Sequence, residues 1–471
     1  MEITKGLKPE RVFYFFERIC AIPHGSGNTK QISDFCVAFA RENGLWYYQD
    51  SLNNIIIKKL ASSGYEGKSP VIIQGHLDMV CEKDADIEFD FLKDGLRLKL
   101  EGDLLSASGT TLGADDGFAI AMALAILEDK SLKHPPIEAL FTVDEETGLY
   151  GAEGIDVSNL DGKMLINLDS ENEGILTVSC AGGARVDISL PLCKEPLNKT
   201  AYLVEISGLL GGHSGVEIDK GRHNANKLMG AFLNSLSGFN LVSVSGGRKD
   251  NVIPSFCSAI VICDEDLTEK AKSFVRENYN ENDGGLEITV TKQNKPIEFA
   301  YTKQSSKKAA ELLVALPNGI MSMSGEIKGL VQTSLNLGVM ELKDDKLCVS
   351  FAVRSSVGKE KEELVALLLQ IAKDFGASAV SHSHYPAWEY KKDSPLRKKA
   401  EEVFFKMYQK PVVVEAIHAG LECGLFCEKI KGLDAISFGP NMYDIHSSKE
   451  RISVSSVERC YKYLLSLLEN L

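Results

Sequence analysis

The stretch Pro70–Val80, PVIIQGHLDMV, passes from a proline through the β-branched run Val71-Ile72-Ile73 into Gln-Gly and then His76-Leu77-Asp78. A short apolar run bounded by turn formers reads as a strand buried on both faces, the pattern of a parallel sheet covered by helices. Three more runs of this type end in residues that carry chemistry. IEALFTV leads into the pair Glu145-Glu146 of FTVDEETG, KMLINL into Asp169 of INLDSE, and DAISFG toward His446 of YDIHSS. Asp115 lies in LGADDG, a glycine-flanked turn directly before the helical stretch GFAIAMALAILED. Ligands of open α/β sheets bind beyond the carboxyl ends of the strands, so residues scattered from position 76 to 446 are expected to converge.

The rest of the chain fits a large globular protein. It has 471 residues, 44% of them hydrophobic, which is enough for two or three domains. The apolar runs are too short for a bilayer span, and the N-terminal segment has no signal-peptide pattern, so a cytoplasmic location with no membrane contact is expected. The eleven cysteines, with Cys257 and Cys263 inside apolar runs, suit buried reduced thiols. A formal charge of −14 argues against nucleic-acid binding.

The pattern changes near residues 185 and 386. Up to 185, helical stretches (RVFYFFERICAIP, KQISDFCVAFARENG, GFAIAMALAILED) alternate with strands, predicting an α/β domain with a mixed, mainly parallel sheet flanked by helices. Residues 186–385 carry longer alternating strands, among them YLVEISGL, CSAIVICDE, LEITVTKQ and KLCVSFAVRSS, between the helices HNANKLMGAFLNSL and KEELVALLLQIAKDFG. This reads as an inserted α+β domain. Residues 386–471 restore the first pattern, closing on the amphipathic helix VSSVERCYKYLLSLLENL, so the catalytic domain is expected to be discontinuous.

The residue types suit a two-metal hydrolase. Such a centre needs two or three ligands per ion plus a shared carboxylate, with the ions about 3.5–4 Å apart, and imidazole and carboxylate ligands fit zinc, cobalt or manganese. His76 and Asp169 could hold one ion, Glu146 and His446 the other, with Asp115 between them. Asp78, on the same face as His76 if the segment is extended, would fix the imidazole tautomer. Of Glu145 and Glu146, one would ligate and the other move protons; sequence spacing leaves open which. Each acid taken singly could equally cap a helix or sit in solvent. Nucleophilic serine chemistry lacks a G-x-S-x-G elbow, Cys180 has no evident histidine partner, and GLLGGHSG lacks a Walker lysine.

Taken together, H-L-D, G-A-D-D-G, D-E-E-T-G, N-L-D-S-E and G-G-H-S-G, in this order, resemble the co-catalytic zinc metallopeptidases that include aminoacylases and glutamate carboxypeptidases. SENEGILTVSCAGG, GLLGGHSGVEI, HNANKLM, QTSLNLGV, HAGLECGLF and SFGPNMYDIHSSKERISVSSVER extend the resemblance over nearly the whole chain, toward a bacterial dipeptidase branch. The resemblance implies two divalent ions, most readily zinc, on His76, Asp169, Glu146 and His446 with Asp115 bridging. It also implies Glu145 as general base, serving a bridging hydroxide, and Asp78 as the support of His76. An aspartate at position 169 goes, in that clan, with substrates having a free amino terminus. Asp116 departs from the asparagine often found in this branch.

By the same resemblance the insert is a lid and dimerisation domain in a homodimer. His213 would reach an active site, often that of the partner subunit, to stabilise the oxyanion, while Asn251 and Arg354 bind substrate. His418 and Glu422 of HAGLECG, on the returning catalytic segment, are further expected substrate contacts, and His24, His134, His223, His382 and His384 are expected to be structural or exposed. The implied activity is hydrolysis of dipeptides, with tripeptide aminopeptidase or N-acyl amino acid amidohydrolase as the alternatives.

Overall fold

The computed structural model describes residues 3–471. The chain forms two compact units, one from the residues up to Ser179 with Tyr390–Ala416 and Glu422–Leu471, the other from Cys180–Glu389 with Ile417–Leu421. The sequence reading had put residues 417–421 with the returning catalytic segment. They belong instead to the second unit, where the Ala181 N–H donates to the carbonyls of Ile417 (3.1 Å) and Ala419 (3.0 Å).

The first unit is built on an eight-stranded sheet in the order Trp46–Gln49, Ile55–Lys59, Ile137–Thr142, Val71–His76, Met164–Asn167, Asp434–Ser437, Ile175–Cys180 and Val413–Ile417. Its central four strands are parallel, in registers such as Val71↔Ile137, Ile73↔Ile166 and Ala435↔Leu165. The outer pairs Trp46–Gln49 with Ile55–Lys59, and Ile55–Lys59 with Ile137–Thr142, are antiparallel. Every residue of Val71–His76 and of Ile137–Thr142 is buried, which is why these strands read as continuous apolar runs without alternation.

Helix Ala114–Glu128 explains its own sequence in the same way. It is apolar on all sides and buried from Ala114 to Leu127, because the sheet lies on one side and helix Glu10–Cys20 on another. Phe118 stacks on Phe16 at 3.9 Å and meets Phe13 edge-on at 5.6 Å. Burying such a ring contributes about 1.5–3 kcal/mol.

A second, small antiparallel sheet orders Met442–Tyr443, Arg451–Ser453, Leu104–Ala107 and Leu98–Glu101. Its register Ile452↔Leu105 ties the hairpin that carries His446 to the strand just before the Asp115 turn. The sequence reading did not anticipate this sheet, whose strands are only two to four residues long.

The second unit is the expected α+β arrangement. Its nine-stranded sheet is antiparallel in every pair described, with Lys346–Ser355 between Val331–Lys343 and Gly182–Pro191. Helices Ala225–Asn234, Lys303–Ala315 and Gly358–Asp374 contribute Phe232, Leu312 and Leu368 to one core with Val186, Leu337 and Phe351. Asn224 caps the first of these helices by accepting from the Lys227 N–H.

Candidate metal centre

His76 is the last residue of its strand and is buried. Its Nδ1 lies 3.0 Å from the carbonyl oxygen of Asp78, and since a carbonyl only accepts, Nδ1 carries the proton. In the neutral ring Nε2 is then the nitrogen that holds a lone pair, the one available to a cation. The chain leaves the strand at His76, so Asp78 does not simply share its face. The Asp78 carboxylate sits 3.5 Å from Nδ1 and spends its hydrogen bonds elsewhere, accepting from Ser26 Oγ (2.7 Å) and from the N–H groups of Glu145 (3.1 Å) and Glu146 (3.4 Å). Asp78 thus orients His76 chiefly through its backbone and the glutamate pair through its side chain.

Asp115 stands between two histidines. Its Oδ1 lies 3.0 Å from His76 Nε2, and its Oδ2 lies 3.2 Å from His446 Nε2. Each of these nitrogens faces a second acid: Asp169 Oδ1 is 3.9 Å from His76 Nε2, and Glu146 Oε1 is 3.0 Å from His446 Nε2. A ring nitrogen has one hydrogen at most, so it cannot make a full hydrogen bond to each of two acids. Glu146 Oε1 is in fact buried without a hydrogen bond that meets normal geometry, despite its proximity to His446. Oxygen and nitrogen lone pairs converging on one point fit a divalent cation better than they fit each other. Ligand atoms of His76, Asp116 and Asp169, of His76, Glu145 and Glu146, and of Asp115, Glu146 and His446 each lie within 4.8 Å of one another. The residues present therefore fit a metal pair.

The charges tell the same story. The Asp115 carboxyl is held below the usual range: burial opposes its ionisation, but hydrogen bonds from His446 and His76 outweigh it. His446 is raised to about 10 by Asp115 and Glu146. Burial works against a charged His76, yet Asp115, Asp78 and Asp169 raise it well above an ordinary imidazole. Burial pushes Glu145 up to about 8, with Glu422, Glu146 and Asp115 adding to it against the opposing pull of His76, and burial with the Asp115 and Asp116 charges raises Asp169. Without cations, this crowd of acids balances itself only by holding protons.

A different cluster occupies the second unit. His213 ends the two-residue strand Gly212–His213, paired with Val252–Ile253. Its Nδ1 accepts from the N–H groups of Gly215 and Val216, both at 3.2 Å, so in the neutral ring Nε2 carries the hydrogen and is a donor. Burial and the charges of Arg354 and Arg185 lower its pKa. His418, buried, sits with Nε2 2.7 Å from Ser334 Oγ and is pushed down to about 3 by burial, Arg354 and His213. Arg354 is buried in the strand next to Ser334 and donates through Nη1 to the Tyr385 hydroxyl at 3.1 Å. Asn251 is half-buried, and its carbonyl accepts from the Ser214 N–H at 2.9 Å.

The profile of peptidase family M20/M25/M40 matches residues 72–470. The chain belongs to this family. The cytosol non-specific dipeptidase of Escherichia coli (strain K12) is 35% identical over 486 residues, spanning 100% of this chain and 99% of that protein. The crystal structure of aminoacylhistidine dipeptidase from Vibrio alginolyticus superposes with a TM-score of 0.89 at 34% identity, covering 100% of this chain and 98% of the other. Aminopeptidase PepT from Bacillus cereus, 15% identical with a TM-score of 0.57, covers 98% of this chain and 99% of its own, and shares the fold.

Within this M20 peptidase, several buried polar residues beneath the centre escaped the sequence reading. Glu422, expected as a substrate contact, is fully buried at the start of helix Glu422–Lys429 and accepts from Gln74 Nε2 and from Thr142 Oγ1 (2.7 Å). Gln74 Oε1 in turn accepts from Asn167 Nδ2 at 2.6 Å. Gln74 and Asn167 stand two residues before His76 and Asp169, so one hydrogen-bonded floor underlies both side chains. The available signal was a polar residue at an inward position of an otherwise apolar run. Asp116, the departure from the branch, accepts from the His76 N–H at 3.2 Å; its other oxygen is buried without a partner, and burial raises its pKa, with the neighbouring Asp115 charge adding to it.

Proposed function

We propose that this M20 peptidase is a metal-dependent dipeptidase that hydrolyses dipeptides with a free amino terminus, including those ending in histidine. The observation that carries the proposal is the Asp115 carboxylate, one oxygen toward His76 and the other toward His446. The full-length identity to a dipeptidase supports it. His76 and Asp169 would hold one ion, Glu146 and His446 the other, with Asp115 spanning both; zinc is the first choice, with cobalt or manganese able to replace it. Bound there, the cations would supply Lewis acidity to the scissile carbonyl and acidify the attacking water.

The remaining chemistry belongs to the chain. Glu145, whose carboxyl is pushed up to about 8 in the absence of cations, takes the proton from the water and passes it to the leaving amine. Asp78 fixes the backbone of the glutamate pair and the tautomer of His76. His213, with its Nε2 hydrogen, donates to the oxyanion. Arg354 takes the substrate carboxylate, with Asn251 and His418 beside it, which favours dipeptides over longer chains. A homodimer accommodates the role of His213. The name of the Escherichia coli relative and the thiol state of the cysteines support a cytoplasmic location; no helix is long and apolar enough to cross a membrane among the described residues.

The test is hydrolysis of a panel of dipeptides, tripeptides and N-acyl amino acids by metal-stripped protein, with zinc, cobalt or manganese added back. Restored cleavage confined to dipeptides is the expected result. Restored cleavage of tripeptides or N-acyl amino acids instead would move the assignment to an aminopeptidase or amidohydrolase.

A further inference from the structure

Four residues past His446 lies a second carboxylate that the chemistry above does not use. Glu450 is 2% exposed, and its carboxylate accepts its hydrogen bonds from the backbone of the turn that carries Asp115. Its Oε2 accepts from the N–H groups of Leu112 (2.8 Å) and Gly113 (3.1 Å), and its Oε1 from those of Ala114 (2.8 Å) and Asp115 (3.4 Å). Four consecutive amides turned toward one side chain form an anion-binding nest. The left-handed conformation of Gly113, φ +67°, makes the concavity possible, and an added Cβ there would come within 2.9 Å of the Met79 sulfur. Backbone donors reach both oxygens, so each oxygen is held from the turn.

The Glu450 backbone is fixed as well. Its N–H donates to the Ser447 carbonyl at 3.1 Å, closing the turn right after His446, and the next residues, Arg451–Ser453, enter the small sheet. One side chain therefore spans from the loop of one histidine to the loop of the aspartate facing it. These segments are more than 330 residues apart in sequence.

We propose that Glu450 is a positioning residue for the metal centre, setting the register between Asp115 and His446 so that both reach the ion shared with Glu146. This rests on the two-metal reading above. Loss of the clamp displaces the Asp115 turn relative to the His446 loop, while His76 remains held by its own strand and Asp169 by the chain leaving strand Met164–Asn167. The site shared by Asp115, Glu146 and His446 then loses the register of two of its groups, and the site of His76 and Asp169 only the reach of Asp115, so the former is weakened more.

The experiment titrates metal-stripped full-length protein with zinc alone by calorimetry, for the natural chain, Glu450→Gln and Glu450→Asp. Melting curves of each metal-free form and kcat and KM for a dipeptide are measured alongside. Glu450→Gln keeps the length but turns an amide group toward N–H donors; Glu450→Asp keeps the charge but loses the reach. The expected result is two zinc ions on the natural chain and, in both variants, a first ion bound nearly as before and a second weakened about 10–100-fold. The kcat should fall, with partial rescue by excess zinc and little change in KM. If Glu450→Asp matches the natural chain, the group acts as a charge at a distance and the positioning role is overturned. Two ions bound with natural affinity by Glu450→Gln overturn it as well. So does failure of both variants to bind any zinc while melting early, which would make Glu450 a determinant of folding. If the natural chain itself takes up fewer than two ions, the two-metal reading fails first, an outcome separate from any behaviour of the variants.

Discussion

His446 in the first unit and His418 in the second titrate in opposite directions. In the first unit His446 is raised to about 10 because Asp115 and Glu146 converge on it; in the second, His418 is lowered to about 3 because burial, Arg354 and His213 oppose its charge. One cluster is an acid-rich cradle that calls for cations. The other is a basic, neutral-imidazole surface suited to anions: a carboxylate or a developing oxyanion. The same residue type is pushed toward its charged form in one place and toward its neutral form in the other, and the surrounding charges decide which.

The largest expected break in this contrast is Glu145→Gln. It removes the proton carrier while leaving the ligand atoms of Asp115, Glu146 and His446 in place, so kcat for a dipeptide should fall about 10²–10⁴-fold with zinc uptake retained. Single-turnover kinetics with calorimetry checks both halves. Next comes His213→Ala on the basic side, expected to lower kcat about 10²–10³-fold with metal stoichiometry unchanged. Loss of zinc binding in that variant would erase the division of labour between the clusters.

A smaller, graded effect is expected from pH on metal-stripped protein. Glu145, at about 8, and Glu422, at about 7, hold protons in the folded state at pH values where the unfolded chain has released them. His446 has a raised pKa, so its stabilisation is complete below about 6.5 and is lost as pH climbs toward 10. The two glutamates make stability fall as pH rises from about 5 to 8, and His446 continues the fall from about 6.5 toward 10. The melting temperature should drop across that window and flatten when zinc is added. His418 works with the opposite sign, costing stability as pH falls from 6.5 toward 3. The finest test is therefore a silence: its ring resonances should stay fixed between pH 5 and 8. A His418 midpoint near 6.5 would remove one side of the comparison.

Much of the centre was legible because parallel strands buried on both faces leave a distinct trace. PVIIQG, IEALFTV and KMLINL announce themselves by unbroken apolar runs, and the reactive residues follow at their ends. Less legible were residues whose role depends on partners far along the chain. Glu422 looked like part of a glycine-rich substrate loop and turned out to anchor Gln74 and Thr142 under the sheet. His418, four residues earlier, packs with the other unit against Ser334.

The sequence by itself determined the fold class and the order of the acids and histidines that follow its buried strands, because periodicity and residue chemistry are local properties written in the chain. Only the tertiary structure decided that Asp115 faces two histidines at once, that Asp78 works mainly through its backbone on His76 and through its carboxylate on the glutamate pair, and that Glu450 grips the Asp115 turn. Those facts depend on strand register and on which buried N–H groups lack another partner. Neither is fixed until segments hundreds of residues apart have packed together.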